Sequence, residues 1–164
     1  MLTIGNSGSI TVGYTTIPTG LNGAGPWASG GTINAWNYAP PRNGTAVSIA
    51  IYVNAGSAGT SNLVGIYSST SGAPGTLLAT SANSTPVVGW NTVNLTTPLA
   101  VTSGTQYFLA EFSNSSSLTG DQDSGSSIAF SGYYLNGQTG LKTPFGTPTG
   151  HWPNNTAGIY MNVN

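Results

Sequence analysis

Between Thr45 and Asn54 the chain reads TAVSIAIYVN, so that Val47, Ile49, Ile51 and Val53 alternate with Ser48, Ala50, Tyr52 and Asn54. A period of two puts the first set on one face of an extended strand and the second set on the other. A helix would scatter both sets around its circumference, so this run commits the segment to a strand with one core face. Similar short runs of β-branched and aromatic residues, bounded by Gly, Asn, Ser and Pro, recur along the whole chain. They predict strands near 9–14, 32–38, 45–54, 62–68, 76–82, 91–96, 105–113, 126–134 and 157–163. No window keeps the three-and-four apolar spacing of a helix, and 24 Gly and 10 Pro punctuate the 164 residues.

The expected fold is therefore all-β: one domain over 1–164, an antiparallel two-sheet sandwich of about 8–10 strands with a jelly roll as the expected topology. A closed barrel is the structural alternative. In 105–113, Phe108 and Phe112 are assigned to the core face, with Tyr107, Leu109 and Glu111 opposite. Ser71-Gly72-Ala73-Pro74-Gly75 is read as a type II-like turn carried by its Pro and Gly. The stretch 135–156 is the longest without strand signals, and a loop of that length either has a function or packs its own aromatics.

Charge narrows the function. Only 3% of residues are ionised, and the inventory is Arg42, Lys142, Glu111, Asp121, Asp123 and the single histidine His151, for a net charge of −1. Low charge together with 10% aromatic residues separates the chain from disordered sequences, which carry high net charge and few rings. Two cations cannot neutralise a run of phosphates, so nucleic acid is excluded as a partner. No apolar run is long enough to span a bilayer, which excludes membrane insertion by a helix. With no cysteine there is neither a disulfide nor a thiolate metal site. The segment Met1–Asn6 has no basic region or apolar signal core. That pattern suits a module whose natural chain starts further upstream, or a virion protein.

One block resembles a known kind of module. Ile66-Tyr67-Ser68, Gly72-Ala73-Pro74-Gly75-Thr76-Leu77-Leu78-Ala79, Gly89-Trp90-Asn91-Thr92-Val93 and Gly104-Thr105-Gln106-Tyr107-Phe108-Leu109-Ala110 follow in an order similar to secreted prokaryotic β-sandwich modules of the carbohydrate-binding type. Pro144 to Thr149 adds a late PFGTPT. The clear resemblance covers residues 45–112. It implies a jelly-roll-like sandwich, placement outside the cell or at its surface, and a glycan or polysaccharide as partner. The matching positions are core and turn residues, so the resemblance assigns no binding residue.

The residues themselves argue against an enzyme. A carboxylate pair for glycosidic chemistry must flank a cleft, whereas Asp121 and Asp123 fall in a Ser/Gly-rich turn expected to be solvated, and Glu111 is read as a strand-edge residue. No nucleophile elbow accompanies His151. Asp121-Gln122-Asp123-Ser124-Gly125 spaces oxygen ligands as calcium loops do but lacks the distal ligand. It is read as a polar loop, with a structural calcium on Asp121 and Asp123 as the alternative; no other cofactor is expected. Sugar recognition, by contrast, needs rings, amides and hydroxyls, which this chain has. The candidate ligand-binding residues are Trp27, Tyr133, Tyr134, His151 and Trp152, with packing as the alternative for Trp27 and Trp152. Trp36, Tyr38 and Trp90 are assigned to the core. Tyr133 and Tyr134 are adjacent and must point to opposite faces. The rival function is a self-associating structural subunit, such as a filament, adhesin or phage fibre protein, pairing through uncharged strand edges.

Overall fold

The computed structural model describes residues 8–20, 27–28, 30–54 and 61–164. The N-terminal six residues read above lie outside them, as do Gly25 and Pro26 beside Trp27. None of the described residues is helical. The strands are β1 (Ile10–Tyr14), β2 (Trp27–Ala28), β3 (Thr32–Tyr38), β4 (Gly44–Val53), β5 (Leu63–Thr70), β6 (Ala73–Thr80) and β7 (Gly89–Val101). They continue with β8 (Tyr107–Ser113), β9 (Thr119–Gly120), β10 (Gln122–Ser124), β11 (Gly132–Leu135), β12 (Gly150–Trp152), β13 (Asn155–Ala157) and β14 (Ile159–Val163).

Two antiparallel sheets form the sandwich: a front sheet of four strands in the order β1-β14-β4-β7, and a back sheet of six in the order β12-β11-β3-β8-β5-β6. Leaving the short strands aside, the front sheet holds the first, eighth, third and sixth long strands, and the back sheet holds the second, seventh, fourth and fifth. That order is the jelly roll. Between β8 and β14 the chain makes an excursion that carries β9 to β13. It lengthens the back sheet with β11 and β12 and adds two small ribbons, β2-β9 and β10-β13.

The alternation in 45–54 holds from Ile49 to Val53 but breaks at a bulge between Ala46 and Ser48, where Ala46 takes the core position and Val47 is left half-buried. Ile49, Ile51 and Val53 point inward with Ile159, Met161 and Val163 of β14, and meet Trp36, Val64, Ile66 and Leu109 of the back sheet in one core. Burying each such aliphatic chain stabilises the fold by about 1.5–3 kcal/mol before entropy is set against it. Trp36 and Tyr38 lie in this core as expected.

Strand β8 departs from the expectation, because all seven of its residues are buried. Tyr107 and Leu109 belong to the core between the sheets, whereas Phe108, Ala110 and Phe112 form a second core on the outer side of the back sheet with Tyr67, Leu135 and Phe145. Glu111 is not at an edge. It sits in mid-strand between β3 and β5, fully buried, where Asn34 Nδ2 donates to its Oε1 at 2.5 Å. A carboxylate so placed needs such donors, since burying it without them would be costly.

The turn between β5 and β6 also differs. Ser71 and Gly72 both have positive φ, 52° and 81°, and Thr70 pairs with Ala73. This is the two-residue hairpin geometry whose twist matches the flanking strands. Pro74 and Gly75 already belong to β6. The strand expected at 126–134 is shorter, at Gly132–Leu135.

Candidate functional site

The five aromatic candidates do not form one row. Trp27 is the clearest correction: it is 2% exposed, packed in the central core 6.1 Å from Trp36, and its position offers no face to a ligand. Its ring lies against Gly120, where a Cβ would fall 2.6 Å from Trp27 Cε2.

The remaining four lie on β11 and β12, where Gly132 pairs with Trp152, Tyr133 with His151 and Tyr134 with Gly150. Alternation then splits them. Tyr133 and His151 stack at 4.3 Å on the outer side of the back sheet, with Tyr133 edge-on to Phe108. Tyr134 and Trp152 stack at 4.5 Å on the opposite side, and Trp152 continues to Trp36 at 6.4 Å. Tyr133 and Tyr134 thus face opposite ways, as their adjacency requires. His151 is exposed and stacks on Tyr133.

These pairs are heavily used for packing. Trp36 and Trp152 both lie over Gly132, where a Cβ would come within 2.7 Å of Trp36 Nε1 and 2.8 Å of Trp152 Cε3. Only glycine leaves room for two indoles there. Trp36 Nε1 in turn donates to Asn155 Oδ1 at 3.0 Å.

The excursion also closes the outer side of the back sheet. Phe145 is fully buried against Tyr67, with ring centres 5.2 Å apart, and Leu141 packs beside it. Backbone bonds hold this strap: Phe145 N donates to Gly75 O at 2.8 Å and Lys142 N to Tyr67 Oη at 3.1 Å. Burial pushes the Tyr67 phenol up to about 12.

Asp121 and Asp123 are structural partners rather than a solvated turn. Asp123 is buried in β10, and its carboxylate accepts from Tyr14 Oη at 2.9 Å and from the Thr19 backbone at 2.9 Å. Desolvation, reinforced by this carboxylate, raises the Tyr14 phenol above its ordinary value. Asp121 Oδ1 accepts from Asn54 Nδ2 at 2.7 Å. Among the described residues no three His, Asp or Glu side chains gather as metal ligands.

A different aromatic group lies on the outer side of the front sheet. Here Trp90 is half-buried, not in the core, and Tyr52 and Tyr160 stand beside it with ring centres 5.5 and 5.0 Å away. Tyr52 pairs with Trp90 across β4 and β7, and Tyr160 lies one rung on, between Gly13 and Ala50. Gly13 has φ 138°, and a Cβ there would fall 2.5 Å from Ile159 O, so the strand runs unobstructed beneath Tyr160. Tyr52, Trp90 and Pro18 converge over Gly158.

Apart from Tyr160, the next rungs carry only small or amide and hydroxyl side chains. Ala50 pairs with Tyr160 and Thr92; Ser48 pairs with Asn162 and Asn94; Thr11 pairs with Asn162. Asn162 Nδ2 donates to Ser48 Oγ at 2.8 Å. None of these positions bears a formal charge. The signal for this group was present in the alternation: Tyr52, Trp90 and Tyr160 fall out of phase with the inward Ile51, Val53, Val93, Leu95, Ile159 and Met161.

No curated protein matches the chain. Residues 36–162, which span the scaffold from β3 to β14 and the whole excursion, match one family, and the chain belongs to it: the family described as a domain of unknown function, DUF4082.

Proposed function

We propose that this domain is a non-catalytic carbohydrate-binding module acting outside the cell, and that it holds its glycan on the outer side of the front sheet. The observation that carries the reading is the half-buried Tyr52–Trp90–Tyr160 group set in a field of amides and hydroxyls. Sugar rings have apolar faces that stack on aromatic rings and hydroxyl rims that bond to amides, so both parts of such a ligand find partners there. The scarcity of spare ionisable groups supports binding over chemistry. Glu111 and Asp123 are committed to buried hydrogen bonds, and His151 lies flat on Tyr133.

The alternative of assembly through strand edges draws less support. At the β6 edge, Pro74 and two register shifts interrupt the ladder that another chain would extend.

The test is retention on insoluble polysaccharide. The intact domain is expected to pellet with at least one of cellulose, xylan, mannan, β-glucan or chitin, and Trp90→Ala is expected to stay in the supernatant while keeping its far-UV spectrum. Absence of retention on all of them, with no titration heat from oligosaccharides, overturns the reading.

A further inference from the structure

Resting on that reading, we infer that the ligand is a neutral glycan of more than one sugar unit, laid along β4 and β7 from the aromatic end of the front face to the rung Ser48–Asn162–Asn94. The charge distribution selects the class. The chain has two cationic side chains, and both are elsewhere. Arg42 lies in the turn between β3 and β4, where its guanidinium donates to Gly8 O. Lys142 lies on the strap over the opposite sheet. A uronic-acid or sulfated polymer would therefore lose hydration on this face without meeting a cation in return. A neutral polymer loses only hydroxyl hydration, which the amides restore.

The register sets the length. Successive outward positions on one strand are about 6.6 Å apart, so Tyr52 and Ser48, with Ala50 between them, span about 13 Å. The middle of the strip is floored by the fully buried Ala50, which lies between Tyr160 and the exposed Thr92. The aromatic end is extended by the exposed Val87 and Val88 just before β7 and by Ile17 just before Pro18. Asn91 holds that entry in shape: its Oδ1 accepts from Val87 N at 2.8 Å and its Nδ2 donates to Val87 O at 2.6 Å. Stacking belongs to one end of the strip and hydrogen bonding to the other, and a single sugar cannot reach both.

The experiment uses the full chain, affinity electrophoresis and calorimetry. The probes are neutral polysaccharides (glucan, xylan, mannan), acidic ones (polygalacturonate, alginate, a sulfated galactan) and oligomers of the retained neutral sugar from one to six units. Neutral glycans are expected to bind, with affinity rising at least tenfold from monomer to tetramer and unchanged between 20 mM and 1 M NaCl. Trp90→Ala is expected to weaken binding of all lengths about tenfold or more. Asn162→Ala and Asn94→Ala are expected to weaken the tetramer several-fold and leave the monomer unaffected. Preference for an acidic polymer, or affinity that falls with salt, overturns the inference while leaving the carbohydrate reading intact. So does a monomer that binds as tightly as the tetramer. Loss of all glycan binding overturns both. Concentration-dependent dimers that Trp90→Ala dissociates would assign the face to a second copy and likewise overturn it.

Discussion

The two outer sides of this sandwich start from the same alternation and finish differently. On the back sheet, Tyr67, Phe108 and Phe112 point away from the central core, and the chain covers them with its own strap, capped by Phe145. On the front sheet, Tyr52, Trp90 and Tyr160 point away from the same core and remain half-exposed. One set of rings is therefore consumed by folding and the other is left over from it. Aromatic residues outside the core of a sandwich are informative only after the chain's own loops have been placed.

The contrast can be broken most directly at the strap. Phe145→Ala removes a fully buried ring and is expected to cost about 3–5 kcal/mol in urea or guanidinium unfolding. It should leave glycan affinity unchanged wherever the fold survives. A smaller loss would mean that the strap rests on the sheet without stabilising it.

The next effect is alkaline. With its phenol raised to about 12 by burial, Tyr67 keeps its proton in the fold at a pH where the unfolded chain, with an ordinary value near 10, releases it. The neutral phenol's contribution is thus complete below pH ~10 and is lost as pH rises through about 12, amounting to about 2–3 kcal/mol. Tyr38, raised in the same direction by desolvation, adds to this. Denaturant midpoints measured from pH 7 to 12 should stay level and then fall. Tyr67→Phe should lower the midpoint at pH 7, because Lys142 N loses its acceptor, yet flatten the alkaline decline.

Trp90→Ala should be milder for stability than Phe145→Ala, at about 1–2 kcal/mol, since only part of the indole is removed from water. On the proposed reading its larger effect is expected on glycan binding. Equal losses of stability for the two variants would erase the distinction drawn between the faces. At the bottom of the scale, Val88→Ser, 56% exposed, should shift stability by less than about 0.5 kcal/mol, with any loss confined to glycan affinity.

The scaffold was largely legible because its strands are long enough for a period of two to repeat. Thr32–Tyr38 was read to the residue, and 45–54 to within one. Where periodicity is uninformative the reading slipped. In β8 both faces are apolar, so alternation gave no sign that each is buried by a different partner, and Phe145, which covers one of them, comes from a segment with no strand pattern. The two- and three-residue strands β9, β10, β12 and β13 are too short to repeat anything. Asp123 looked like a turn residue from its Ser and Gly neighbours, but its partners Tyr14 and Thr19 lie far away in sequence. Of the aromatic candidates, Trp27 is taken up by the core, whereas Tyr133, Tyr134 and Trp152 stay half-buried and His151 exposed on β11 and β12. Phase against the inward β-branched residues is the signal that sets Tyr52, Trp90 and Tyr160 on the outer side of the front sheet, and the assignment of Trp90 to the core passed over it.

The place of β14 has a consequence for how the protein is made. It lies between β1 and β4, so until Ile159–Val163 leave the ribosome the front sheet has a gap at its centre. Two strand edges then face one another with unsatisfied amides and carbonyls. Closing that gap is a long-range pairing, the slow kind. Tyr160 and Asn162 arrive with the closing strand, so a nascent chain carries Tyr52 and Trp90 with no surface to set them in. On the proposed reading, a chain cut short before β14 should hold no glycan.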